Sequence, residues 1–229
     1  MSQEYSSRPY PSLDWTEVWS GALLRPSERT YDEIVNDPRA TTGRAIVWIA
    51  VSSLVGFVIS LVIQVVLGGA LSQVMEESGA AVGTGASILA FICGAPLVVV
   101  FSIIGLAISS GITQFVASAL GGNGTFAKLF YAFAAFTAPM SLVSGLLSSI
   151  PFVNCLAIPL GFYALYLEIL AIRTVNQFSW GKAIATLVLV FIGILVVIAF
   201  FAAVVLAMIG PALGNVISNI MQELPSQMP

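Results

Sequence analysis

The chain has 229 residues, 58% hydrophobic and only 8% charged, with a mean hydropathy of +0.99. A water-facing domain carries roughly 25% charge, so a soluble enzyme and a disordered chain are excluded. The net charge of -3 leaves no basic footprint for nucleic acid. What remains is an all-α polytopic membrane protein.

Twelve of the 19 charged residues fall in residues 1–44, a polar head preceding an apolar body. The head has no apolar core of its own, so no cleavable signal peptide is expected, and the first hydrophobic segment serves as the insertion signal. Trp15, Val18, Trp19, Ala22 and Leu23 recur at helical spacing. Asp14 and Glu17 form a capping-box pattern before them, and Arg25-Pro26 ends the segment. A second helix begins after Ser27, an N-cap type, with Tyr31, Ile34 and Val35 on one face. Amphipathic helices are therefore predicted at about 14–24 and 28–36. Their apolar stripes need a cover: the bilayer surface, the cytoplasmic ends of the spans, or a partner. Trp15, Trp19 and Tyr31 are the candidate interfacial or partner-binding residues.

Charge-free windows long enough to cross about 30 Å of hydrocarbon place five spans in a membrane domain over 45–210: about 45–67, 86–117, 129–150, 153–172 and 183–209. Backbone polar groups in lipid must be paired internally, so the spans are helices. Gly68-Gly69 with Glu76-Glu77, then Gly121-Gly122-Asn123-Gly124, then Pro151 with Asn154, and last 176–181 separate them. Pro96 predicts a kink or break in the second span, and the fifth is long enough to tilt or project. Residues 211–229 are expected as an external tail.

Five crossings put all eight basic residues on one side, and Glu76, Glu77 and Glu223 on the other. The excess of cations inside predicts a cytoplasmic N-terminus and an external C-terminus. A multi-pass protein of the cell (plasma) membrane is expected.

Glu168 is the one acid inside a predicted span. An ionisable group in hydrocarbon costs about 2.5–3.5 kcal/mol on insertion scales and so marks a candidate site. With Arg173 and Lys182 it defines a candidate intramembrane polar site: an ion pair, a polar pocket, or a functional carboxylate. Gln64 and Gln114 are lesser polar candidates. Small residues repeat at four-residue spacing, among them Gly105 and Ser109, and Ser141 and Gly145, as candidate helix-packing positions. Cys93 and Cys155 read as small buried hydrophobes, with a disulfide as the alternative. Histidine is absent, as are the nucleophile-elbow, P-loop and zinc-protease patterns, so no catalytic residue, metal site or cofactor is expected.

Several segments resemble the Yip (Ypt/Rab-interacting protein) domain family. They are Leu120-Gly121-Gly122-Asn123-Gly124-Thr125-Phe126 with Tyr131 and Pro139, then Tyr163, Tyr166 and Ile172, then Ser179-Trp180-Gly181-Lys182-Ala183. Leu24-Arg25-Pro26 with Tyr31 is similar to the opening of bacterial members. The resemblance covers about 20–209 and implies a five-helix membrane domain with a cytoplasmic N-terminus. In eukaryotes the family is associated with Rab-type GTPases and vesicle traffic; for a bacterial-type chain that partner is not carried over. The expectation is a non-enzymatic scaffold or adaptor that binds partner membrane proteins or itself as an oligomer, or shapes membrane. The alternative is a transporter or channel for a small or lipidic solute, using Glu168 and the second span.

Overall fold

The structure is a computed structural model; it describes the backbone of residues 10, 12–74, 84–148 and 154–223, and their side chains except at 64–92, 148–154 and 208–223. Seven α-helices and one short 3-10 turn make up the described residues, with no strand among them. The head contributes α1 (Trp15–Leu24) and α2 (Glu28–Val35). The body contributes α3 (Thr42–Val74), α4 (Thr84–Ala119), α5 (Phe126–Ser148), α6 (Ala157–Asn176) and α7 (Trp180–Glu223). Each of these five is long and apolar enough to cross a membrane, as the sequence predicts. Met1–Thr186 form one compact unit and Leu187–Pro229 a second.

Local chemistry sets the helix ends. The Asp14 N–H donates to Glu17 Oε2 at 2.8 Å, and the Thr30 N–H donates to Ser27 Oγ at 3.1 Å, so both head helices begin at side-chain caps. The end of α6 is turned by Gln177 in the left-handed region (φ 54°), which lets the Phe178 N–H reach the Arg173 carbonyl at 2.9 Å. Differences from expectation lie along the helices. No break occurs at Pro96, because α4 continues through it for 36 residues. In the second unit α7 continues to Glu223, so most of the expected tail is helical. At about 1.5 Å per residue, its 44 residues exceed a bilayer's hydrocarbon thickness. Residues 191–207 expose apolar side chains all round, as suits a helix in lipid. The Glu76-Glu77 and Pro151 turns and the side chains of Gln64 and Glu223 lie outside the described residues.

In the first unit α5 is central. Residues 129–136 are buried without interruption, flanked by α3, α4 and α6. The head lies across one end of this layer, α1 on α5 and α2 on α6 and α5.

Candidate functional site

Two polar features occupy different depths of the first unit. At the end covered by the head, charges and rings are paired across elements. Asp37, fully buried, accepts from Arg44 Nη1 at 3.0 Å, from the Arg39 N–H at 2.9 Å and from the Leu13 N–H at 3.3 Å. Arg44 also donates to the Leu13 carbonyl at 2.7 Å, and its guanidinium lies 5.0 Å from the Trp48 ring centroid. Trp48, itself fully buried, meets Trp15 and Trp19 edge-on at 6.1 and 6.2 Å and Tyr131 at 5.0 Å. The second anchor is on α6. Tyr163 OH donates to the Leu23 carbonyl, and Arg173 pairs with Glu28. Arg173 further donates to the Phe178 carbonyl at 3.2 Å and sits 4.6 Å from the Trp180 ring. Lys128 Nζ donates to Asn36 Oδ1 at 2.8 Å.

Beside the head, the glycine-rich loop closes on α6. Gln114 Nε2 donates to Asn176 Oδ1 at 3.1 Å and to the Gly124 carbonyl at 2.9 Å, and the Gly124 N–H donates to Asn176 Oδ1 at 3.2 Å. A Cβ on Gly122 or Gly124 would stand 2.5 or 2.7 Å from that oxygen, so only glycine permits the approach.

Deeper, α3, α4, α5 and α6 line an open-sided cavity of about 430 Å³. Glu168 lines it, with hydroxyls from Ser52, Ser53, Ser102, Ser109, Thr137 and Ser141. The rest of its wall is apolar, including the rings of Phe101, Phe133 and Phe136. Ser53 donates to the Ile49 carbonyl at 2.6 Å and Ser141 to the Ala138 carbonyl at 2.7 Å. Their protons are thus engaged, and their oxygens can accept. Glu168 has neither a hydrogen bond nor an ion pair among the described residues.

The sequence-predicted residues distribute over both features. The expected grouping of Glu168 with Arg173 and Lys182 does not form. Five residues turn a helix by about 140° beyond a full revolution, which sends Arg173 to Glu28 while Glu168 faces the cavity. Lys182 Nζ instead donates to the Leu120 carbonyl at 3.3 Å. Gly105, Ser109 and Ser141 line the cavity, and a Cβ on Gly105 would touch nothing within 4 Å. Gly145 differs: its Cβ would meet the Gly56 Cα at 4.0 Å, a close α3–α5 approach. Tyr31, on α2, is fully buried where α2 packs on α6 and α5, and so presents no exposed surface. Burial, and then the phenols of Tyr163 and Tyr166, raise its pKa well above the ordinary phenol value. Trp15 keeps 41% of its surface exposed, whereas Trp19 is half-buried. Cys93 and Cys155 are exposed thiols, not buried hydrophobes.

Sequence reasoning missed Asp37, Trp48 and Asn176. The signals available were an acid seven residues before Arg44 at the start of an apolar helix, and an asparagine directly after α6's apolar run. Neither identifies its partner.

No curated protein and no solved structure matches the chain. The Yip1 domain does match, over residues 20–203, which takes in α2, the glycine loop and the Glu168 cavity but only the second half of α1. The chain belongs to the Yip1 domain family and is a multi-pass membrane protein of that family.

Proposed function

We propose that the protein is a non-enzymatic membrane scaffold with a cytoplasmic head, residues 1–44, whose helices α1 and α2 form a fixed platform on the membrane domain, residues 45–210. One observation carries this reading. The head is fastened to α3, α5 and α6 by a buried ion pair, an aromatic cluster and the Glu28–Arg173 pair, so a partner meets a shaped surface rather than a free arm. The basic side chains of Arg44, Lys128 and Arg173 gather with the head at one end of the helix layer, and this supports a cytoplasmic N-terminus and an external C-terminus. The membrane is the plasma membrane, and the partner is another membrane protein or a second copy, engaged through exposed helix faces and the exposed side of Trp15. Crosslinking in the native membrane followed by mild-detergent purification tests this. A reproducible partner or homo-oligomer is expected, reduced by Trp15→Ala. A lone monomer overturns it, and cysteine labelling that puts both chain ends on one face overturns the topology.

The cavity favours a second reading, a carrier for a small or lipidic solute. Flux into liposomes that is abolished by Glu168→Gln supports it. Absence of flux, or flux indifferent to the substitution, removes it.

A further inference from the structure

We propose that the Glu168 cavity is a binding site for an organic ammonium ion carrying a short apolar tail. The inference deepens the second reading at the same site, but rests on the cavity and not on movement across the membrane.

Three observations converge. Glu168 is a carboxylate in a membrane-spanning helix with no counter-ion among the described residues, and the basic residues that follow it in sequence, like Arg44, are committed elsewhere. Arg173 is held by Glu28, Lys182 by the Leu120 carbonyl, and Arg44 by Asp37. A carboxylate so placed is neutralised by a proton or by a bound cation. Next, the cavity's hydroxyls present acceptors. Ser53 and Ser141, which line the space, donate their protons to backbone carbonyls, so that toward a ligand their oxygens can act only as acceptors. A set of acceptors around one negative charge matches an N–H donor with a positive charge. Finally, the remaining wall is apolar and aromatic. Phe133 and Phe136 are stacked edge-to-face at 5.8 Å, and such ring faces attract ammonium groups while tolerating hydrocarbon. A bare metal cation requires about six close oxygen ligands and would leave most of a 430 Å³ space empty. That volume lies within the range of small-molecule sites, roughly 300–1,000 Å³.

The test uses the full chain in maltoside micelles, with hexylammonium chloride and hexanol titrated calorimetrically against empty micelles as background. Wild-type protein is expected to bind the ammonium at least about tenfold more tightly than the alcohol of equal chain length, the scale on which one lost charged contact discriminates. Glu168→Gln should remove that preference. Gly105→Phe keeps the carboxylate and fills the cavity from a position where an added Cβ meets nothing, and it should abolish binding of both probes. Tryptophan emission from the Trp15–Trp19–Trp48 cluster reports whether each variant keeps its head docked. Equal affinity for ammonium and alcohol in the wild type overturns the proposal. So does unchanged affinity in Gly105→Phe, or displacement of hexylammonium by sodium at equal concentration. Binding without flux in liposomes retains the site and removes the carrier reading.

Discussion

The head-covered end of the bundle and the Glu168 cavity both hold polar groups, yet the charges in them are handled differently. At the covered end the charged groups Asp37, Arg44, Arg173 and Lys128 are each paired, although the Tyr31 hydroxyl and the Trp19 and Trp48 indole N–H groups are buried there without a partner. Asp37 alone gathers Leu13, Arg39 and Arg44. In the cavity a carboxylate and six hydroxyl residues share a space without cross-linking one another. Paired groups fix geometry; groups left open retain the capacity to bind. The contrast separates the part that holds the fold from the part available for chemistry.

The sharpest way to break the comparison is to orphan a charge at the covered end. Arg44→Ala leaves Asp37 buried without its cation, and a loss of about 3–5 kcal/mol is expected, read by chemical unfolding in mild detergent. Gly124→Ala should cost less, about 1–3 kcal/mol, because the new methyl displaces Asn176 from Gln114 and the loop. Gly105→Ala, on the cavity wall, should stabilise by up to about 1 kcal/mol through helix propensity alone. Tyr31→Phe should change stability by less than about 1 kcal/mol at neutral pH, since the Tyr31 hydroxyl is buried without a partner. Its signature lies at alkaline pH. The folded phenol holds its proton more tightly than the unfolded one. Tyr31's contribution is therefore complete below the ordinary phenol pKa near 10 and is lost as pH rises above it. Tyr31→Phe removes that part of the alkaline decline. The smallest effect on stability belongs to Glu168→Gln, predicted to be indistinguishable from wild type or slightly stabilising. A large loss there would mean that the carboxylate is structural, erasing the contrast.

The sequence conveys the five spans, the amphipathic head and its caps, because each depends on residues within a few positions of one another. Asp14 with Glu17 and Ser27 with Thr30 are of this kind. Gln114 was also legible as a polar residue in an apolar span, but its partner Asn176 was not. The pairings that assemble these elements were not. Trp48 is one apolar residue among many in α3 until α1 and α5 are laid against it. Glu168 could be singled out for its charge, but its surroundings could not, since the cavity draws walls from four helices spread over more than a hundred positions. Tyr31 shows the same limit from the other side: an apolar stripe says that a cover is needed and is silent on which surface supplies it.

The fastening of the head through α6 has a consequence for how the protein is made. Leu23 and Glu28 leave the ribosome 140 and 145 positions before the residues that hold them, Tyr163 and Arg173. The tryptophan-bearing stripe can meet α3 and α5 once the third crossing is made, but the head's α6 anchors wait for the fourth, so full fastening of the head reports four completed crossings.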